Sequence, residues 1–271
     1  MKDAIQMYNT CIQKEKHMRS VKVRNLTIGE GIPAVCIPIC GKNKEEILQE
    51  TAAAIACDCD LIEWRADWFE DCLKEDSVLS VLKDIRSRLK NIPLLFTFRS
   101  FEEGGKREIS SEEYVSLISA AINSGMIDLI DIELFKGKEI VTDLISKAHS
   151  HQVKVILSNH DFEKTPSREE IIARLCEMQN LNGDITKIAV MPQSDQDVFI
   201  LLEAASLMKA SYADRPYLTI SMSSKGTASR ICCELYGSCI TFGSGAQASA
   251  PGQINASDLK TILSLIHKSI G

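Results

Sequence analysis

From Ala34 onward the chain repeats one alternation: a short apolar run rich in β-branched residues, a polar stretch, then apolar residues at helical spacing. The apolar runs predict strands at Ala34–Ile39, Leu61–Arg65, Leu94–Arg99, Ile127–Glu133, Val153–Asn159, Ile185–Val190, Tyr217–Met222 and Ser238–Phe242. Helices are predicted over Lys44–Cys57, Glu112–Asn123, Arg168–Gln179 and Asp195–Ala210, where apolar residues recur three and four apart. Ser110 or Ser111 reads as one helix cap and Ser167 as another, with Glu170 three residues on as in a capping box; Asn255–Ser257 starts a last helix. Strands alternating with helices imply parallel pairing through crossovers. Eight such units predict an α/β fold, closed as a (β/α)8 TIM barrel. The rival arrangement, an open doubly wound sheet, usually carries a glycine-rich turn after its first strand. Here that strand ends in Cys40-Gly41-Lys42-Asn43. Gly29-Glu30-Gly31 lacks a third glycine and reads as the turn of an N-terminal β-hairpin, formed by Val21–Ile28 and the residues after that turn, that closes the bottom of the barrel. Residues 21–271 are expected to form one barrel domain, with residues 1–20 an extension, flexible or briefly helical.

Composition narrows the setting. Hydrophobic residues make up 45% of 271 and charged residues 25%, an ordinary globular balance. The net charge is −6, and no basic cluster suggests a nucleic-acid surface, so no nucleic-acid partner is expected. Ten cysteines include no CxxC pair; Cys57 and Cys59 are one residue apart and Cys232 and Cys233 adjacent, which suits reduced core residues better than disulfides or zinc. Met1–Ser20 is polar, without the apolar region of a secretory signal, and no segment has the roughly 20 apolar residues of a membrane span. A cytoplasmic protein with no membrane partner is expected.

Ionisable residues collect at the C-terminal ends of the predicted strands, where barrels place their active sites. Glu63 and Arg65 share one face of the second strand; Arg99 ends the third, with Glu103 and Gly104-Gly105 after it; Asp131 and Glu133 end the fourth. Ser158-Asn159-His160 ends the fifth, and Ser221 and Ser223 straddle the end of the seventh. Taken singly, the carboxylates and arginines read equally well as rim salt bridges; as a set aimed at one end they favour a site. Lys187 is the sharpest signal, because it interrupts the apolar strand Ile185–Val190 and lysine is almost never fully buried without a reason. Burial and nearby cations would lower its pKa and leave a neutral amine able to attack a ketone. The plainer reading is a lysine snorkelling to the strand end or paired with Glu133. His160 is the natural proton shuttle. His149 and His151 flank a helix end and His17 and His267 lie near the termini, so no metal is expected. Gly243-Ser244-Gly245 is a weak phosphate-cradle signal, and Ser206 to Lys209 is a chance SxxK spacing within a helix.

Five ordered motifs, Glu63-Trp64-Arg65-Ala66-Asp67, Phe96–Ser100 with Glu103-Gly104-Gly105, Ser158–Phe162, Lys187–Pro192 and Ser249–Gln253, resemble type I 3-dehydroquinate dehydratase. The resemblance runs from about Val21 to the C-terminus. It implies a TIM barrel, usually a homodimer, that needs no metal or organic cofactor. The implied reaction converts the small-molecule substrate 3-dehydroquinate to 3-dehydroshikimate in the shikimate pathway. It further implies that Lys187 forms a Schiff base with the C3 ketone, that His160 takes the C2 proton and returns one to the departing C1 hydroxyl, and that Glu103 orients His160. Arg230 would hold the substrate carboxylate, and Glu63, Arg65, Arg99, Met222, Ser249 and Gln253 would complete the pocket, with Ser249–Gln253 on a closing loop. Two positions depart from the family pattern: Pro38 stands where many relatives carry serine, and Ile220 where a methionine is expected beside Met222. A Schiff-base aldolase acting on a phosphorylated sugar, using Gly243-Ser244-Gly245, and a non-catalytic barrel binding a polyhydroxy acid are the competing functions.

Overall fold

The computed structural model describes residues 18–245 and 253–270. A two-stranded antiparallel hairpin, β1 (Val21–Val23) and β2 (Leu26–Ile28), comes first. Eight parallel strands come next: β3 (Ala34–Ile39), β4 (Leu61–Arg65), β5 (Leu94–Thr97), β6 (Leu129–Glu133), β7 (Lys154–Asp161), β8 (Ile185–Val190), β9 (Tyr217–Ser221) and β10 (Ile240–Phe242). From β3 to β9 each pairs with the next in sequence, and β10 pairs with β3. Between β9 and β10 the ring is joined by a bridge of Tyr217 with Ser238 and by the Cys239 N–H donating to the Tyr217 carbonyl at 2.9 Å. The sheet is thus a nearly closed (β/α)8 barrel, as the alternation predicts, with helices in the crossovers.

Strand parity sorts the core into two shells, since successive side chains point to opposite faces. Val35, Ile37, Ile62, Trp64, Phe96, Ile130, Leu157 and Ile188 pack outward in one cluster with the helices. Ala34, Cys36, Leu61, Leu95, Leu129, Ile156, Ile185 and Leu218 fill the barrel interior, in a cluster shared with Val21, Val23 and Ile28 of the hairpin. The hairpin therefore plugs the N-terminal end, as expected. Its turn lies elsewhere than the glycine pattern predicts: Arg24 and Asn25 make it, with Arg24 at φ 52°, and Gly29-Glu30-Gly31 form the exit from the second strand. Arginine bears the left-handed backbone there while its guanidinium is held by Asp128 at 2.6 Å.

Helix starts agree with the predicted caps. Ser110 closes a capping box with Glu113 on the helix Ser111–Asn123, and Ser167 accepts from the Glu170 N–H on the helix Arg168–Asn180. The helix expected over Asp195–Ala210 runs as α-helix over Asp195–Leu207 and as a π turn over Met208–Tyr212. Helices at Glu75–Leu89 and Lys138–Ser150 complete crossovers that the periodicity did not single out. No disulfide forms among the described cysteines, and Cys36, Cys59, Cys72, Cys233 and Cys239 are buried. No helix among the described residues is long and apolar enough to cross a membrane.

Candidate active site

The parity that puts Ile185 inside puts Lys187 inside too, one step nearer the C-terminal end. The same holds for Glu63 and Arg65, Thr97, Asp131 and Glu133, and Ser158 and His160; β5 ends at Thr97 rather than at Arg99, so Arg99 enters from the segment after the strand. The interior is apolar at the hairpin end and ionic at the other. There it opens into a cavity of about 820 Å³, mouth included, lined by Lys187, His160, Glu63, Arg65, Arg99, Arg230, Met222 and Gln253. Pro38 and Ile220 line it as well. Ser249 lies outside the described residues.

Lys187 is 4% exposed. Its Nζ is 3.4 Å from Asp131 Oδ2, 3.8 Å from Glu63 Oε1, and 4.8 Å from the centre of the Phe242 ring. The charges closest to the amine are thus carboxylates, where the sequence suggested cations, and its partners are Asp131 and Glu63 rather than Glu133. Glu63 is fixed in turn by the Thr97 hydroxyl at 2.8 Å.

Glu103 reaches the mouth because the chain after β5 doubles back. Gly104 takes a left-handed φ of 80°, and a Cβ on Gly105 would lie 1.8 Å from the Arg99 carbonyl oxygen, so only glycine fits that tight return. Glu103 Oε2 then accepts from the His160 backbone N–H at 3.0 Å and lies 2.9 Å from His160 Nδ1. Asn159 donates to the other oxygen at 3.2 Å. Burial pushes the Glu103 carboxyl up, with Glu133 and Asp131 adding and Arg99 opposing, to about 8. Burial, with the charges of Arg99, Lys187 and Arg65 behind it, holds His160 well below its ordinary value. The imidazole is therefore neutral at physiological pH, with the tautomer set by Glu103.

Arg99 is the hub beneath these groups. Its Nη1 donates to Glu133 at 2.8 Å and to Glu103 and Ser158 at 3.2 Å, and its Nη2 donates to Asp131 at 2.7 Å. Burial opposes its charge, but the carboxylates outweigh burial and hold its pKa well above the ordinary value. Although it lines the cavity, its guanidinium is largely taken up by the protein. Arg65 is gripped bidentately by buried Asp67 at 2.8 and 2.9 Å. Arg230 is different: it is 4% exposed, its Nε has no hydrogen-bond partner among the described residues, and burial alone lowers its pKa. A buried guanidinium with no ion-pair partner among the described residues is costly, which makes Arg230 a candidate to hold an anionic group of a ligand.

The glycine-rich segment after β10 does not form a phosphate cradle. The Gly243 N–H donates to the Cys36 carbonyl at 3.0 Å and the Ser244 N–H to the Ile254 carbonyl at 2.8 Å, so two of its amides are already used. Lys209 binds the carbonyls of Glu234 and Leu235, away from the cavity. Sequence reasoning did not name Phe162, Ala189, Met191 or Phe242 as wall residues, and it placed Ser223 only at a strand end. Parity could have supplied Ala189 and Phe242; Phe162 and Ser223 are set by loop backbone, Ser223 at φ 60°.

A (β/α)8 barrel with an ionic pocket in its C-terminal mouth is an enzyme architecture. Comparison with known proteins narrows it. The sequence profile described as type I 3-dehydroquinase matches residues 35–270. A 3-dehydroquinate dehydratase of Clostridioides difficile is 51% identical over 252 residues, covering 93% of this chain and 99% of the relative. A solved structure of the Clostridium difficile type I enzyme with covalently modified comenic acid superposes with a TM-score of 0.90 at 51% identity, covering 93% and 99% of the two chains. That of the Enterococcus faecalis dehydratase gives 0.85 at 41%, covering 90% and 98%. The chain belongs to the type I 3-dehydroquinase family and is a carbon–oxygen lyase.

Proposed function

We propose that the chain dehydrates 3-dehydroquinate to 3-dehydroshikimate through an iminium on Lys187. One observation carries the reading: a buried amine, a neutral imidazole and a buried guanidinium whose Nε has no hydrogen-bond partner among the described residues share one cavity. The substrate is a cyclic ketone bearing a carboxylate and hydroxyls, and each group has a counterpart. The ketone meets Lys187. The carboxylate meets Arg230, whose planar fork suits two oxygens. The hydroxyls meet Glu63, Arg65, Arg99 and Gln253, with Met222 packing on the ring; the family resemblance adds Ser249.

Attack of the amine on C3 and loss of water give the iminium, a better electron sink than the ketone. His160 Nε2 removes the C2 proton while Glu103 holds Nδ1–H, and the carbanion is stored as a neutral enamine. The enamine then expels the C1 hydroxyl, which leaves as water with the proton from His160, and hydrolysis frees the product and Lys187. The Clostridium difficile relative solved with covalently modified comenic acid supports a covalent mechanism. The aldolase reading loses its phosphate cradle, since the Gly243 and Ser244 amides are occupied. No cofactor or metal has a part in this scheme, and the resemblance carries a homodimer.

The test is turnover of 3-dehydroquinate, read by ultraviolet absorbance of the conjugated enone product. The wild type is expected to turn over and Lys187→Ala to be inactive at unchanged fold. An active Lys187→Ala, or a wild type without turnover, contradicts the proposal.

A further inference from the structure

Asp131 employs its two carboxylate oxygens differently. Oδ1 accepts from Arg99 Nη2 and from the Ser158 hydroxyl, both at 2.7 Å. Oδ2 faces Lys187 Nζ at 3.4 Å. The residue is fully buried, and donors from β7 and from the segment after β5 fix the first oxygen, so the second cannot turn away from the amine. The remaining charged or titratable groups around Nζ are Glu63 from β4 at 3.8 Å, the buried Cys36 thiol from β3, His160 from β7, Arg99 from the segment after β5 behind Asp131, and Arg65 and Arg230 on the cavity wall; β10 adds the face of Phe242. Of the two carboxylates, Asp131 is the nearer, and Glu63 is occupied by Thr97.

We propose that Asp131 is the counter-ion of the protonated imine, keeping the nitrogen charged until the C2–H bond breaks. The inference rests on the Lys187 iminium and extends that chemistry to a group outside the lysine–histidine–glutamate set. A neutral imine withdraws electrons weakly; only the protonated form accepts the C2 electron pair. In a buried site an anion at this distance favours the cationic form strongly. As C2–H breaks, its electron pair becomes C2=C3, the C=N pair moves to nitrogen, and the proton goes to His160. Positive charge thus passes from beside Asp131 to beside Glu103. Both carboxylates are bonded to Arg99, which holds the two counter-ions at a fixed separation through the transfer.

Asp131→Asn tests this cleanly, because its carboxamide oxygen can keep the Arg99 and Ser158 bonds while the charge facing Nζ is lost. In wild type, borohydride reduction with 3-dehydroquinate is expected to fix an adduct on Lys187. In Asp131→Asn the adduct still forms, kcat falls roughly 10²-fold, and the alkaline limb of the kcat profile moves down by about 1–3 pH units. A purely structural ion pair would not move that limb. A folded Asn variant with wild-type kcat and limb overturns the inference. If the Asn variant does not fold, Asp131→Glu decides: it keeps the charge and is expected to keep the limb in place, and a downward shift overturns the inference. A wild type without a Lys187 adduct overturns the underlying reading and this one with it.

Discussion

Arg230 and Glu103 show what individual residues contribute, because each holds a charge in a state its surroundings disfavour. Arg230 Nε has no partner among the described residues, so the substrate carboxylate is its proposed anion. Arg230→Gln is expected to raise KM about 10–100-fold with little change in kcat, as hydrogen bonds to charged groups are worth about 1.5–3 kcal/mol. Steady-state kinetics check this, and an unchanged KM removes Arg230 from the binding scheme. For Glu103 the sign of the pH effect is set by its proton. Above about pH 8 the carboxylate accepts Nδ1–H and leaves His160 Nε2 bare to act as base. Below that pH the carboxyl is protonated and donates to Nδ1, which moves the single imidazole hydrogen to Nε2. The rate is therefore expected to fall about tenfold per unit as pH drops below about 8. Glu103→Gln should abolish that limb and lower the plateau; a limb that survives in the Gln variant contradicts the assignment. Lys187 was legible as a lysine interrupting an apolar strand and His160 as a histidine at a strand end, while the role of Glu103 came from the family resemblance. The pairing of Lys187 with Asp131 rather than Glu133 was not, because parity tells which side chains face inward but not which heights meet across the barrel.

At the scale of elements, the hairpin β1–β2 does the work of a stopper. Ile28 is 1% exposed and packs with Val21, Val23 and the innermost residues of the strands. Ile28→Ala is expected to cost about 2–5 kcal/mol of stability by leaving a cavity. Because the hairpin sits at the end opposite the pocket, kcat should change little in the molecules that remain folded. Denaturant unfolding with activity measured in parallel checks both halves; a loss of kcat without a loss of stability would show that the plug acts on the site. The strands were readable because buried parallel strands are short runs of β-branched residues, and the caps at Ser110 and Ser167 were readable because their partners are local. Glycine is the usual sign of a left-handed backbone, which is why the pattern pointed to Gly29–Gly31 for the hairpin turn. Arg24 adopts that backbone instead, under the hold of Asp128, more than a hundred residues away in sequence. No local pattern announces that contact.

The whole molecule separates stability from chemistry along one axis: apolar layers and hairpin at one end, an ionic pocket at the other. That division was visible as charged residues at the ends of apolar runs, and the order of the strands could be read from their alternation with helices. The quaternary state was not visible from pattern, and the homodimer comes from family resemblance. Light scattering is expected to give twice the 30.0 kDa of the chain; a monomer at assay concentrations contradicts it. A covalent bond between Lys187 and the substrate ketone underlies all of the proposed chemistry. The most direct measurement is peptide mass spectrometry after borohydride reduction of protein mixed with 3-dehydroquinate. The predicted result is a reduced adduct on the peptide carrying Lys187, absent from Lys187→Ala. An adduct on another lysine, or undiminished turnover with no adduct, would contradict it.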